Sequence, residues 1–197
     1  MLKSGLNNCW PTPIYKTSIT SDECNALVNE IMIGENISAP QSDYDSASLT
    51  DKVPLLKTIA QQKYTEFFKE VLDLDLANFD YDLKSWLTGS TDGFAGKAGG
   101  YSMDIHNHSG APFVSVIYLL AEEQNQGGEL VMYDPRTNAN RGFNSEFQHM
   151  FSPIEHMPQS GDVLIMPGYV YHSVRQYYSS LRLAVPVDIF IKDNQDI

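Results

Sequence analysis

Residues 101–120, which read YSMDIHNHSGAPFVSVIYLL, contain two segments typical of β-strands. These are Tyr101–His106 and Pro112–Leu120, and both are rich in β-branched, aromatic and aliphatic residues. Ser109 and Gly110 lie between them and supply the backbone freedom that a turn requires. Both segments are therefore candidate β-strands separated by a turn signal.

The pattern of short strand segments separated by Gly and Pro turn signals continues over residues 81–191. It favours an all-β sandwich or barrel. Pro186 lies within the last segment, where its missing N–H predicts an edge strand or a bulge. The further segments are Tyr81–Leu87, Glu129–Tyr133, Asp162–Met166, Tyr171–Val174 and Leu183–Ile191.

Residues 1–80 are expected to support these strands with helices. Ser21 or Asp22 is suited to cap a short helix, and Thr50 or Asp51 is suited to cap a longer one. Apolar residues recur at helical spacing after each of these caps.

Helices followed by many short strands predict a mainly β fold with flanking helices. We expect a double-stranded β-helix, or jelly roll, with the helices packed on its outer sheet. The 197 residues suit a single domain, in which residues 1–80 support a core formed by residues 81–191.

The composition disfavours some partners and locations. A formal net charge of −12 would be repelled by phosphate backbones and anionic membranes, which disfavours nucleic acid and membrane partners. No apolar run approaches the ~20 residues that span a bilayer, and the first residues lack a signal-peptide pattern. Together with only two cysteines, Cys9 and Cys24, this predicts a cytoplasmic protein. A homodimer is expected because it is the commonest oligomer.

Three of the five histidines form a candidate metal site. His106 and His108 lie two residues apart near a strand end, so both side chains point to the same face. His172 follows the turn signal Pro167-Gly168 and can approach from a neighbouring strand. An isolated H-x-H is more often a structural pair, so the prediction depends on the surrounding pattern. Three ligands on one face leave positions open for substrate and O₂, as in the iron(II) site with two histidines and one carboxylate.

Arg182 and Tyr118 are candidate ligands for a carboxylate. An arginine that faces the same pocket would bind a carboxylate through a planar bidentate pair, and the Tyr118 hydroxyl could donate to the same group. A lone arginine at a strand start is usually a solvated charge, and a lone tyrosine is usually a core aromatic. Both assignments therefore require that the residues lie in the histidine pocket.

The order and spacing of these residues resemble the iron(II)/2-oxoglutarate-dependent oxygenase superfamily over residues 81–191. The superfamily pattern is H-x-D, a strand ending in Tyr-Leu, G-G-x-L, P-x-x-G, a histidine and then an arginine. The corresponding segments are His106–His108, Ile117–Leu119, Gly127–Leu130, Pro158–Gly161, His172 and Arg182.

A closer resemblance is to a bacterial and phage subfamily of 2-oxoglutarate oxygenases, and it extends the match to almost the whole chain. Its members begin with a W-P-T-P segment, here Trp10–Tyr15, and carry a tryptophan before the first histidine motif, here Trp86. They also share a serine-containing run, here His108–Tyr118, and an Asp-Pro-Arg triplet, here Asp134–Arg136. Each motif alone is weak, but their common order is specific.

The resemblance implies an enzyme that binds iron(II) and 2-oxoglutarate. Such an oxygenase hydroxylates a prime substrate and releases succinate and CO₂. Carried over by motif, His106 and His172 would be iron ligands. Arg182 and Tyr118 would hold the far carboxylate of 2-oxoglutarate, while the protein orients and shields the cofactor chemistry.

The chain departs from the family pattern at two positions. The carboxylate position of H-x-D is His108, which leaves the iron site one unit of charge more positive. We expect His108 to be the third metal ligand, ahead of the nearby carboxylates of Asp104 and Asp134. Ala184 stands where the family often has a small hydroxyl residue after the arginine, so one hydrogen bond to the co-substrate would be absent.

Two other interpretations fit part of the pattern. A cupin-type metalloprotein, a dioxygenase or isomerase, would use three histidines, but the cupin glutamate is missing and Arg182 and Tyr118 would have no role. A non-catalytic phage or bacterial structural module with a degenerate site would explain the lost carboxylate ligand. A buried Arg182 would argue against that module.

Residues 134–160 form a predicted loop that is long enough to be a lid over the site. His149 and His156 lie in it and are interpreted as structural or, at most, substrate-contacting. The sequence does not indicate the prime substrate.

Overall fold

The structure is a computed structural model that describes residues 12–34, 48–90, 101–108, 110–121, 127–136, 153–178 and 182–192. Cys9, Trp10, Pro11, His149 and residues 137–152 of the predicted lid lie outside these ranges. The elements in chain order are β1 (Tyr15–Ser18), α1 (Ser21–Gly34), α2 (Leu49–Lys52), α3 (Pro54–Val71), a 3-10 helix (Leu76–Asn78), β2 (Tyr81–Ser85), β3 (Thr88–Ser90), β4 (Tyr101–His106), β5 (Phe113–Leu120), β6 (Leu130–Met132), β7 (Ile154–His156), β8 (Asp162–Pro167), β9 (His172–Tyr177) and β10 (Arg182–Ile191).

Two antiparallel sheets form the β-sandwich. The larger sheet has the order β1-β8-β5-β10-β2, with β3 also paired to β10, and the smaller sheet has the order β4-β9-β6-β7. Apolar side chains from both sheets pack between them, among them Val116 and Tyr118 of β5 with Leu130 and Met132 of β6. The predicted mainly β fold, a jelly roll with flanking helices, is confirmed.

Helices α1 and α3 cover the outer face of the larger sheet. Because side chains alternate along a strand, Val185, Val187 and Ile189 of β10 pack against this helical layer, whereas Ala184 joins the core between the sheets. The buried Tyr64 hydroxyl of α3 donates to the Val187 carbonyl oxygen at 2.5 Å. Each large apolar side chain buried here contributes about 1.5–3 kcal/mol to stability.

The predicted helix caps were wrong. For α1, Thr20 and Glu23 form a reciprocal pair: the Thr20 N–H donates to Glu23 Oε2 at 2.7 Å, and the Glu23 N–H donates to Thr20 Oγ1 at 3.2 Å. For the longer helix, Pro54 is the first residue of α3 and Val53 precedes it as the cap. Proline lacks the N–H that would continue α2, but its fixed φ suits the start of a new helix.

The prediction of an edge strand or bulge at Pro186 was also wrong. Strand β10 pairs with β5 on one side and with β2 and β3 on the other, and its register shift lies between Leu183 and Ala184. The Pro186 carbonyl faces Trp86, at the break between β2 and β3. Because the N–H and C=O of a strand residue point to the same side, the missing donor faces a gap in the neighbouring strands.

The sequence did not predict three short strands, β1, β3 and β7. Strand β7 lies inside the predicted loop 134–160 and pairs with β6. Within the described ranges, the helices are all too short or too polar to cross a membrane.

Candidate active site

Strands β4 and β9 bring three histidines together at one end of the sandwich. His106, the last residue of β4, pairs in register with His172, the first residue of β9. His108 follows two residues after β4. One ring nitrogen from each histidine lies within 4.8 Å of the others, and this is the one such metal-binding group among the described residues.

A close backbone contact at Gly168 positions His108 beside His172. The His108 N–H donates to the Gly168 carbonyl at 2.9 Å, and the Gly168 N–H donates to the Pro112 carbonyl at 3.0 Å. A Cβ at Gly168 would lie 2.0 Å from the Ala111 carbonyl oxygen. Only glycine therefore lets the turn before β9 reach the segment after His108.

All three imidazole rings are held through Nδ1. The Nδ1 of His106 lies 2.8 Å from the Asp104 carbonyl oxygen, and that of His172 lies 3.0 Å from the Val170 carbonyl oxygen. The Nδ1 of His108 lies 2.7 Å from Asp188 Oδ1. Because carbonyl and carboxylate oxygens only accept hydrogen bonds, Nδ1 carries the proton and Nε2 keeps a free lone pair in each neutral ring.

The surroundings keep His106 and His172 neutral. Burial, together with the neighbouring His106 and His108 imidazoles, lowers the pKa of His172 to about 3. Burial also lowers the pKa of His106, although less strongly. A neutral imidazole is the form that binds a metal ion.

The carboxylates considered as replacements for His108 are not part of the cluster. The Asp104 side chain is exposed, and the residue contributes only its backbone carbonyl, to His106. Asp134 forms an ion pair with Arg136 at 2.5 Å, and the hydrogen bonds from Arg136 lower the Asp134 pKa. The Asp-Pro-Arg triplet thus closes its own turn.

Asp188 is a site residue that the sequence analysis missed. It lies on β10, is 2% exposed and hydrogen-bonds to His108 through its side chain. The available signal was period two: Asp188 lies six residues after Arg182, on the same face of one predicted strand.

A cavity of about 210 Å³ extends from the histidines to Arg182 between the two sheets. Its wall is mostly apolar, so the few polar groups in it determine which ligand it accepts. The residues that line it include Trp86, Met103, Val116, Tyr118, Leu130, Val174 and Pro186. Both predicted carboxylate ligands, Arg182 and Tyr118, therefore lie in the histidine pocket.

Arg182 is a buried cation without a carboxylate partner in the described part of the chain. It is 3% exposed, and its Nη1 donates to the Gly128 carbonyl. Its Cζ lies 5.6 Å from the ring centre of Tyr118 and 5.7 Å from that of Tyr177. An unpaired buried guanidinium is costly, which favours an anionic ligand beside it.

The Gly-Gly turn before β6 makes room for this guanidinium. Gly128 has a φ of +85°, and a Cβ there would lie 2.1 Å from Arg182 Nη1 and 2.9 Å from the Tyr177 ring. This steric restriction explains the glycine of the G-G-x-L motif.

Thr88 places a hydroxyl opposite the position where the family pattern has one and this chain has Ala184. Thr88 of β3 pairs in register with Ala184, is buried and lines the cavity. Its hydroxyl donates to the Ala184 carbonyl at 3.2 Å. Thr88 was not predicted as a site residue because the predicted strand Tyr81–Leu87 ends just before it.

The residues present fit a metal ion and a dicarboxylate co-substrate. Three imidazoles whose Nδ1 atoms are engaged suit a divalent transition metal at Nε2 and leave coordination positions open. The Arg182 guanidinium has no carboxylate partner among the described residues and suits a carboxylate at the other end of the same cavity. Apolar side chains of the cavity wall separate the three histidines from Arg182, which suits one elongated ligand that contacts both ends of the cavity.

Comparison with known proteins supports this interpretation. Residues 95–188 match the family model described as "Putative 2OG-Fe(II) oxygenase", and this segment contains the three histidines, Tyr118, Arg182 and Asp188. A search of curated proteins finds no match to this sequence.

Solved structures share the fold at low sequence identity. A Pseudomonas putida prolyl-4-hydroxylase is 16% identical with a TM-score of 0.56, over 91% of this chain and 88% of that one. HygX from Streptomyces hygroscopicus, with iron bound, is 14% identical with a TM-score of 0.59, over 91% and 82%. The 2OG complex of a viral collagen prolyl hydroxylase from Paramecium Bursaria Chlorella virus-1 is 14% identical with a TM-score of 0.57, over 91% and 96%.

The family model covers both metal motifs and the arginine strand, and the fold of the described residues is that of these oxygenases. Iron(II) and 2-oxoglutarate are the cofactors that the family name gives, and the site fits both. Over residues 95–188 the chain is therefore similar to the 2OG-Fe(II) oxygenases, and the described residues share their fold.

Proposed function

We propose that this oxygenase hydroxylates a substrate that is still to be identified and releases succinate and CO₂ as co-products. One observation supports the proposal above the others. A single apolar cavity holds three histidine imidazoles at one end and, at the other, the buried Arg182 guanidinium, which has no carboxylate partner among the described residues.

The residues at the two ends of the cavity would bind different groups. His106, His108 and His172 would hold iron(II) through Nε2, while Arg182 and Tyr118 would hold the far carboxylate of 2-oxoglutarate. The bound iron and keto acid together supply the oxidising chemistry. The two anchors fix the co-substrate in one orientation, and the apolar walls exclude water from the reacting end.

Cytoplasmic location is part of the proposal. Cys24 is buried, and its Sγ donates to the Leu119 carbonyl at 3.1 Å. The chain contains only two cysteines, Cys9 and Cys24, which suits a reducing compartment. The acidic net charge of −12 supports a prime substrate other than nucleic acid.

The test is to add 2-oxoglutarate to the iron(II)-loaded protein without oxygen and to record the visible charge-transfer band of the chelate. We expect a saturable band. Arg182→Ala should weaken 2-oxoglutarate binding at least ~30-fold, since loss of a buried charge partner costs at least about 2 kcal/mol. Iron binding should remain.

Arg175→Ala is the matched control. Arg175 is also on a strand, but its side chain is 55% exposed and hydrogen-bonds to Glu155. Arg175→Ala should leave unchanged both the charge-transfer band and the 2-oxoglutarate concentration at which half of the band has formed. Loss of both iron and 2-oxoglutarate in Arg182→Ala would indicate a folding defect and would remove the support for its role.

A three-histidine cupin-type site is the second candidate, because no carboxylate is in the metal cluster of the described residues. Iron binding without the charge-transfer band would favour this candidate. A protein that binds no iron would be a non-catalytic module. The burial of Arg182 argues against such a module, because a site without function has no need of a buried guanidinium.

A further inference from the structure

The candidate iron site contains three histidines and one buried carboxylate, Asp188, directly behind His108. Asp188 and His108 have side chains that are only 3% and 4% exposed. Their contact is 2.7 Å, and no lysine or arginine of the described ranges forms an ion pair with Asp188. A buried carboxylate without a cation is strongly disfavoured unless positive charge lies nearby.

We infer that Asp188 is a positioning residue that acts on the metal through the His108 ring. It holds the His108 Nδ1–H, directs Nε2 at the metal, and supplies the negative charge that H-x-D sites carry on the ligand itself. This inference rests on the proposed iron site. A carboxylate that accepts from a ligating imidazole fixes the ring and makes its other nitrogen a stronger ligand.

The other two candidate ligands lack such a carboxylate. His106 and His172 donate to the backbone carbonyls of Asp104 and Val170, which are neutral acceptors. The only charged acceptor therefore stands behind the residue that replaces the family's aspartate. The Trp86 ring stacks on His108 at 5.5 Å and leaves the ring little freedom to turn away.

Strand geometry explains why Asp188 can reach this position. Val187 and Ile189 point into the helical layer, so Asp188 points into the space between the sheets, as Ala184 does. Strand β10 thereby contributes to both ends of the site: Arg182 lies at the co-substrate end and Asp188 at the metal end.

The experiment compares Asp188→Asn with Asp162→Asn. Asp162 is also buried and hydrogen-bonds to a histidine, His156, outside the metal cluster. The readouts are Fe(II) affinity, from anaerobic competition with a chelator, and the visible spectrum of the Co(II)-loaded protein, which reports ligand geometry.

We expect Asp188→Asn to weaken Fe(II) about 10–100-fold and to alter the Co(II) spectrum, because Asn can still accept the Nδ1–H but carries no charge. Asp162→Asn should lower thermal stability and leave both metal readouts unchanged. Folded Asp188→Asn protein with wild-type Fe(II) affinity would overturn the inference but leave the proposed function intact. Wild-type protein that binds no metal would overturn the proposed function itself.

A second background, His108→Asp, distinguishes an effect of Asp188 through His108 from an effect on the fold. His108→Asp restores a carboxylate in the ligand position, where Asp188 would become a repelling neighbour. In that background Asp188→Asn should leave Fe(II) affinity unchanged or raise it. A 10–100-fold loss in both backgrounds would show that Asp188 acts on the fold rather than through His108, and would contradict the inference.

Discussion

Two histidine–aspartate pairs of the described residues differ in their surroundings: His108–Asp188 is buried, and His156–Asp162 is partly buried. His108 uses Nδ1 to contact Asp188, and its remaining nitrogen faces two other imidazoles. His156 uses Nε2 to contact Asp162 at 3.0 Å and lies outside the metal cluster. The two pairs thus differ in which histidine nitrogen contacts the aspartate and in which groups lie next to the other ring nitrogen.

The partners of the two aspartates differ as well. Asp162 also binds the Lys16 ammonium at 3.0 Å and the Gln159 N–H at 3.0 Å, so its charge is compensated within the protein. In the described ranges, the Asp188 side chain hydrogen-bonds to His108, and no lysine or arginine there forms an ion pair with it. A buried carboxylate that lacks protein compensation is therefore the better indicator of a metal-linked role.

Replacing the histidine of each pair by alanine should give the largest difference between the pairs in their effect on Fe(II) affinity. His108→Ala should reduce Fe(II) affinity by more than ~100-fold, because loss of a ligand exceeds the loss of a group behind a ligand. His156→Ala should stay within about twofold of wild type by the same chelator competition. Comparable losses in both variants, with folding checked by circular dichroism, would make the contrast between the pairs untenable.

Each pair also depends on a glycine beside it, and these glycines sharpen the contrast. A Cβ at Gly168 would lie 2.0 Å from the Ala111 carbonyl, so Gly168→Ala must displace the segment that carries His108. We expect Fe(II) affinity to fall at least about tenfold, since a shift of ~1 Å spoils a ligand site. The measurement is chelator competition on protein shown to be folded.

The control for this substitution is Gly161→Ala, next to Asp162. Gly161 has a φ of +90°, and its Cβ would lie 3.1 Å from the Ile19 carbonyl. The variant should lose about 1–3 kcal/mol of unfolding free energy from backbone strain and keep its Fe(II) affinity. An iron defect in Gly161→Ala as large as that in Gly168→Ala would count against separate roles for the two pairs.

The smallest expected effect concerns the ion pair that compensates Asp162. Lys16 is about half exposed, so Lys16→Ala should cost only about 0–1 kcal/mol in denaturant unfolding. The difference from wild type should shrink in 1 M salt, where the Debye length is about 3 Å. A change in Fe(II) affinity would mean that the two pairs are coupled across the sandwich.

Alternation and turn signals in the sequence were enough to predict the fold class. They identified the long strands because buried strands need apolar residues at every second position, as in β5 and β10. They failed for β1, β3 and β7, which have only three or four residues and, unlike the equally short but wholly apolar β6, include polar residues that obscure a strand pattern. They also failed at Pro54, where local proline chemistry outweighed a continuous helical pattern.

The candidate site was predictable only where spacing carries the information. The i, i+2 histidines and the arginine on a strand follow from period two, and the structure brings all of them to one cavity. Asp188 and Thr88 depend on contacts between β10 and distant segments. His108 lies 80 positions before Asp188, and such pairs have no local signal. The sequence indicates a turn at Gly168, but the close contact of Gly168 with Ala111 depends on the tertiary structure.

Strand β10 also bears on how the protein can evolve. Arg182, Ala184, Pro186 and Asp188 occupy alternate positions, three of them lining the cavity and the fourth contacting His108. A deletion or insertion of one residue in this strand would turn the whole row toward the helices. It would also set the proline, with its missing donor, against a paired strand. Evolution should therefore tolerate a change in the number of residues in β10 less readily than a change in most of its side chains.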